Sequence, residues 1–433
     1  MHAAFHFLEQ EALALLTRLD RVKPFALQMT SVLAAAVSPG AQTAIERHLA
    51  DGRRELRQMV RQFLAWLRQS VDRLVNPAEA QRRFTLLRLR FNAVLSQFDI
   101  FADALVQRSE HEYGTWLGGL DIVAADALSL PGFYEAPPVV CYLDRGAGAA
   151  IRRARTRLPG GGQNPVAVIR IPRERMVGSG IASSLVHEVG HQAAALLDLV
   201  NSLRPVLRAM QMKGGTEEVA WRLWERWLSE VVADFWAVAK VGIAATTGLI
   251  AVVSVPRAFV FRINAGDPHP SPWIRVRLGS AVGAALYPDP QWDRLSALWE
   301  ALYPRAGLDP SLQELLGTLE QTLPAFAGLL VNHRPRSLGG RSLAEALTAE
   351  ERAPDRLRAV WELWRRDISA ARSALPTLAF AVIGQARADD AIHPQAESQL
   401  LGQLLTFWAL RGTLDLHELC AAAAQATPHS LHS

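Results

Sequence analysis

Residues 183–191 read SSLVHEVGH. On a helix, positions four apart stand on one face. His187 and His191 therefore present both imidazoles to one point, where each can reach a cation at about 2.0–2.1 Å. Glu188 stands one position round, beside that point. There a carboxylate can take a proton from an activated water and later give it to a leaving amine. The flanks, Leu185, Val186, Val189 and Ala193 to Leu197, are apolar and predict a buried helix. Buried imidazoles and carboxylates need partners, and a metal ion supplies them. The alternative is a pair of helix histidines and a surface glutamate with no common ligand.

Residues 229–236 read SEVVADFW. Two carboxylates, Glu230 and Asp234, stand four apart in an otherwise apolar helix, and buried carboxylates need a charge partner. A catalytic zinc takes three protein ligands and keeps one open position, so Glu230 is expected as the third ligand. Asp234, one turn on, can accept the free ring N–H of a ligating histidine and fix its tautomer. The alternative is two acids on an exposed stripe. A third stretch, residues 267–275, reads DPHPSPWIR. Its prolines stiffen the loop around His269, and a rigid His with Arg275 nearby can stabilise a developing oxyanion. A purely structural loop histidine is an equal alternative here.

Taken in order, HEVGH, then ExxxD as Glu230 to Asp234, then HPxxxxR as His269 to Arg275, resemble the gluzincin metallopeptidases. The family in question includes the CAAX prenyl endopeptidases and the HtpX-type heat-shock membrane proteases. The likeness spans about residues 165–280. It implies one Zn2+ per chain, held by His187, His191 and Glu230, with Asp234 orienting a ligand and His269 and Arg275 on the substrate side. It also implies a zincin-like core. Members of that family carry transmembrane helices that have no counterpart in this sequence, so a prenylated or membrane substrate is not part of the expectation.

Working outward, segments 138–143 (PVVCYL) and 165–171 (PVAVIRI) read as strands, the second rich in β-branched residues. Segment 165–171 is expected as an edge strand able to pair with an extended peptide. The triplet Gly160-Gly161-Gly162 between them lacks the Lys-Ser or Lys-Thr of a phosphate loop and reads as a hinge or turn beside the active site. Residues 1–130 read as antiparallel helices with breaks near Pro24, Ser38-Pro39-Gly40 and Asn76-Pro77. Residues 216–240 form a long helix whose Trp221, Trp224, Trp227 and Trp236 read as core. Beyond residue 290 the chain is helical again, broken around Pro304, Pro310, Pro335 and Pro354. The expected fold is mainly α with a small β-sheet: a helical region 1–130, a gluzincin core 131–290 and a helical region 291–433.

Composition narrows the partners. The net charge of the 433 residues is +4, and Lys occurs only at Lys23, Lys213 and Lys240, so the positive charge is nearly all Arg. Segment 51–90 holds ten of these arginines and reads as a solvated helix face. No basic-aromatic motif accompanies it, and nucleic acid is not an expected partner. The run 241–256 is uncharged but shorter than the ~18–20 residues of a membrane span, so it reads as a buried helix. Cys141 and Cys420 are far apart and read as core residues in a reducing compartment. The first twenty residues read as an amphipathic helix rather than a signal peptide, which points to a cytoplasmic chain. Glu110-His111-Glu112 reads as a surface or capping group, and His48, His333, His393 and His417 read as structural.

The expected activity is therefore zinc-dependent endopeptidase cleavage of a peptide or protein substrate, with Glu188 as general base. The rival is a binding or regulatory protein whose zinc site is structural or dormant.

Overall fold

The computed structural model describes residues 2–22, 24–25, 32–72, 76–146, 148–173, 178, 180–264 and 266–426. It is mainly helical with one three-stranded sheet. The chain forms two compact units. The first is made of residues 1–117, 137–142 and 152–168, and the second of 118–136, 143–151 and 169–433. This differs from a division at residues 130 and 290: the helices after 290 belong to the unit that carries HEVGH.

The first unit is built on α1 (His2–Arg21), α2 (Pro39–Asp72) and α3 (Pro77–Val106). In α1, Phe5, Leu8, Ala12, Leu15 and Leu19 recur at threes and fours and are buried, the stripe a core-facing helix requires. Asn76 caps α3 by accepting from the Ala78 amide at 2.8 Å, with Pro77 in the first turn. Leu56, Val60, Phe63, Leu64 and Leu67 of α2 enter the same core as Phe84, Phe91, Phe98 and Phe101 of α3. Among the described arginines of segment 51–90, Arg54, Arg61, Arg68, Arg82, Arg83 and Arg88 are exposed, and Arg83 pairs with Glu79 at 3.1 Å and Arg90 with Glu55 at 2.9 Å.

The glycine triplet is a turn, with φ of 78°, 94° and 83° at Gly160, Gly161 and Gly162, a region that L side chains avoid. Its contacts are with His48 of α2 and with Arg90 and Ala93 of α3. Arg108, fully buried, donates to the Cys141 carbonyl at 2.5 Å and to the Ala35 carbonyl at 3.3 Å.

The helix α4 (His111–Leu128) leads to the sheet strands β1 (Val139–Asp144), β2 (Ala150–Arg152) and β3 (Ala167–Pro172). The two expected strands are β1 and β3; β2 was read as loop. The sheet order is β1-β3-β2. Both edges of β3 are therefore already paired, and the expectation of β3 as a substrate-binding edge strand is overturned. Its run of apolar residues suits a central strand flanked on both sides.

The second unit continues with α5 (Gly180–Leu196), α6 (Leu199–Gln211), α7 (Glu218–Val241), α8 (Ile243–Val253), α9 (Arg257–Val260) and α10 (Pro272–Leu286). There follow α11 (Gln291–Leu302), α12 (Pro310–Asn332), α13 (Leu343–Ala346), α14 (Pro354–Trp364), α15 (Ala370–Ser373), α16 (Pro376–Ala388) and α17 (Pro394–Ala426). Pro310 and Pro354, read as breaks, are first residues of helices, where a missing N–H costs nothing. The tryptophans of α7 are core: Trp224 donates to Thr322 Oγ1 at 2.8 Å and Trp236 to the Ala127 carbonyl at 3.0 Å. Segment 241–256 contributes α8, and among the described residues no helix is long and apolar enough to cross a membrane.

One glycine sets how α5 meets α7. A Cβ on Gly190 would stand 2.8 Å from the Ala233 Cα and 2.9 Å from the Ala233 carbonyl oxygen. The helices touch backbone to backbone there, which brings the histidines of α5 level with the carboxylates of α7.

Candidate metal centre

The site assembles from α5, α7 and the start of α10. Leu185, Val186 and Val189 are buried as expected and hold α5 in the core. His187 Nδ1 donates to Asp234 Oδ1 at 2.8 Å, so its Nε2 lone pair is left for another partner. That Nε2 stands 3.3 Å from Glu230 Oε2, and His191 Nε2 stands 3.5 Å from Glu230 Oε1. The ligand atoms of His187, His191 and Glu230 all lie within 4.8 Å of one another, and they form the one such group among the described residues.

These distances test whether a metal fits. Atoms bound at about 2.1 Å to a tetrahedral ion stand roughly 3.4 Å apart, close to the two separations observed. Glu230 Oε2 is buried, and among the described residues no hydrogen bond of ordinary geometry reaches it; Nε2 of His187 and Nε2 of His269 each stand 3.3 Å away. A ring nitrogen with its lone pair toward a carboxylate oxygen is two acceptors facing each other, which needs a cation or a proton between them. Two imidazoles and a carboxylate are the donor set of a catalytic zinc site.

Electrostatics agree with that arrangement. Burial raises the Glu230 carboxyl, but hydrogen bonds and charge from His187 and His191 outweigh it and hold it far below the usual carboxylate range. Burial likewise raises Asp234, while Arg275 and His187 bring it down to about 2. For His187 the balance runs the other way: burial lowers it, but the Asp234 carboxylate and Glu230 lift it to about 9. The centre thus keeps its carboxylates ionised and attracts positive charge to Nε2 of His187.

Arg275, which the resemblance puts on the substrate side, lines the cavity beside the centre and also pairs with Asp234. Its Nε donates to Asp234 Oδ2 at 2.6 Å and its Nη2 to Oδ1 at 2.7 Å. This two-pronged pair commits the guanidinium to Asp234, so Arg275 orients the carboxylate that orients His187. His269 does face the centre. Its Nδ1 and its backbone N–H both donate to Asp267 Oδ1, at 2.7 and 3.0 Å, and its Nε2 stands 3.3 Å from Glu230 Oε2. The ring is half-exposed. Asp267, given no role in the sequence reading, is the group that aims it. The hydrogen bonds of His269 lower the Asp267 carboxyl in turn.

A cavity of about 160 Å³ adjoins the cluster. Glu188, His187, Asp234, His269 and Arg275 line it, together with Ala245, Leu249 and Val252 of α8 and Gly279 of α10. Gly148 and Ala149, just before β2, also line it. None of these wall residues carries a motif, and no sequence signal pointed to them.

The secondary candidates lie elsewhere. His48 bonds to Gln97 Oε1 at 2.8 Å and His333 to Ser202 Oγ at 2.8 Å. His393 Nδ1 accepts from the Gln395 amide at 3.3 Å just before α17. Glu110 and Glu112 are exposed at the start of α4. Cys141 is buried in β1; the side chains of His417 and Cys420 lie outside the described residues.

Comparison with protein-family models, with curated proteins and with solved structures found no match.

Proposed function

We propose that this chain is a zinc metalloendopeptidase with a gluzincin-type active site in a zincin-like core. The observation that carries the reading is the convergence of His187, His191 and Glu230 beside an intact Glu188. A purely structural site has no need of that glutamate. His187, His191 and Glu230 would hold the ion. When bound, zinc supplies a Lewis acid that lowers the pKa of a coordinated water toward ~7 and polarises a carbonyl.

The chain's own residues do the rest. Glu188, buried along the cavity wall, takes the proton of the attacking water and returns it to the leaving nitrogen. Asp234 keeps His187 in the tautomer whose Nε2 faces the ion, and Arg275 keeps Asp234 in place. His269, aimed by Asp267 and half-exposed, meets the carbonyl oxygen of the substrate. The apolar wall from α8 excludes water beside the reacting bond.

The test is zinc content by elemental analysis, together with cleavage of unfolded casein with and without chelator. About one zinc per chain and chelator-sensitive cleavage are expected. One zinc without cleavage would leave a non-catalytic zinc protein, and a folded chain that binds no zinc would end the metallopeptidase reading.

A further inference from the structure

Residues 145–173 contain seven arginines and no Asp or Glu. Four of the seven fall within six residues, Arg152-Arg153-Ala154-Arg155-Thr156-Arg157, where β2 ends and the connection to β3 begins. This segment belongs to the first unit, which holds 19 Lys and Arg against 12 Asp and Glu, a net charge of +7. The second unit holds 27 against 30.

All four arginines are exposed, while Ala154 and Leu158 are buried and Thr156 is half-buried. The residues that tie the segment to the core thus alternate with the charged ones. Among the described residues none of the four guanidinium groups has an ion pair or a hydrogen bond. In this they differ from Arg83 and Arg90 of α3, each of which has a carboxylate partner.

The backbone beneath them is fixed. Asn164 is 1 % exposed, and its Nδ2 donates to the carbonyls of Arg152 and Arg153 at 3.1 and 3.0 Å. Its main chain accepts from the Arg155 N–H and donates to the Thr156 carbonyl, both at 2.8 Å. Thr156 Oγ1 donates to the Arg153 carbonyl at 2.6 Å. Arg155 has a φ of 64°, a left-handed conformation that an L side chain adopts only when its surroundings enforce it. Four like charges are therefore gathered on a turn that has little freedom left to lose on binding. What would balance them is an anion.

The surroundings select which anion. Among the described residues, no large apolar side chain between Tyr113 and Met212 is exposed. A protein partner needs an apolar centre to its interface, and stable attachment to a bilayer needs an apolar group beside the charge. Single-stranded nucleic acid needs aromatic rings on which its bases stack. Duplex phosphates need guanidinium groups alone, because counterion release supplies binding that is independent of sequence. We infer that Arg152, Arg153, Arg155 and Arg157 bind the phosphate backbone of duplex nucleic acid without reading its bases. Neither the proposed peptidase activity nor the zinc enters the inference.

The probe is a fluorescently labelled DNA duplex of mixed sequence, titrated with the full chain at a series of salt concentrations and read by anisotropy, with and without chelator. Saturable binding that survives chelation is expected, with log affinity falling against log salt at a slope of about −3 to −4 for four phosphate contacts. Arg153→Gln combined with Arg157→Gln, both at exposed positions, should lower that slope by about 2 and weaken binding at least about tenfold at low salt, with an unchanged circular dichroism spectrum. Arg54→Gln combined with Arg61→Gln, exposed on α2, should change neither. Absence of saturable binding at the lowest salt would overturn the inference, as would binding that the first pair of substitutions leaves alone or the second pair moves as far. Polyglutamate or phosphatidylserine vesicles held as tightly as the duplex would also overturn it, and would name an acidic polypeptide or a lipid surface as the partner instead.

Discussion

In the first unit, Gln97 of α3 lies buried between His48 of α2 and the glycine turn; in the second, Glu230 of α7 lies buried between His187 and His191 of α5. Both place a polar side chain from one helix against histidine from another. Around Gln97 donors and acceptors match. Its Oε1 faces His48 Nε2 at 2.8 Å, and its Nε2 donates to the Gly161 carbonyl at 3.1 Å and to that of Pro159. Around Glu230 they do not. Nε2 of His187 faces Oε2 at 3.3 Å while Nδ1 is spent on Asp234, and no hydrogen bond of ordinary geometry reaches Oε2 among the described residues. A matched cluster staples a fold. A cluster of converging acceptors has to be completed by a proton or a metal cation.

The sharpest way to break the comparison is to remove the carboxylate at its centre. Glu230→Ala is expected to take zinc from about one per chain to none, to abolish hydrolysis, and to cost about 3–5 kcal/mol through the partners left unpaired. Elemental analysis and urea unfolding read these together; full zinc occupancy in the variant would refute the ligand set. Glu188→Gln tests the proton carrier separately. Zinc should be retained while cleavage falls about 10²–10⁴-fold, and cleavage at the wild-type rate would remove Glu188 from the chemistry.

The pH dependence follows from His187, raised to about 9 against an ordinary value of 6.5. In the metal-free chain its charge contributes stability that is fully present below about 6.5 and is lost as pH rises through about 9. Zinc takes the place of that proton, so affinity should climb roughly tenfold per pH unit below about 9 and level off above it. Competition with a chelator at a series of pH values measures this, and a flat profile would mean that no proton is displaced from Nε2.

Two smaller effects sharpen the contrast. Gly190→Ala puts a methyl against the backbone of Ala233 and is expected to cost about 1–3 kcal/mol and to weaken zinc binding by parting α5 from α7. Unchanged zinc affinity would show that the centre tolerates the separation. Gln97→Leu should cost about 1–3 kcal/mol, since carbonyls and a histidine lose their partners, yet leave zinc content as it was. A loss of zinc there would undo the distinction between the two clusters.

Much of the candidate centre was legible beforehand because its residues sit on helices, where spacing alone implies a shared face. His187 and His191, four apart, and Glu230 and Asp234, four apart, are of this kind. Arg275 was legible as a residue but not as a partner of Asp234, since that bond joins α10 to α7 across 41 positions. Asp267 was visible in its motif, but nothing in the order of residues says that both of its bonds go to His269. The strand β2 is three residues long, too short for alternation to show.

By itself, then, the sequence determined the helices, the central tryptophans, the strands β1 and β3, and the residue types able to hold a cation. Each of these is written in local periodicity or in side-chain chemistry. Only the tertiary structure decided the order β1-β3-β2, the approach of α5 and α7 at Gly190, and the cavity wall from α8. Those features depend on which backbone comes within hydrogen-bonding or van der Waals reach of which, and that distance is a property of the packed chain and not of any stretch of it.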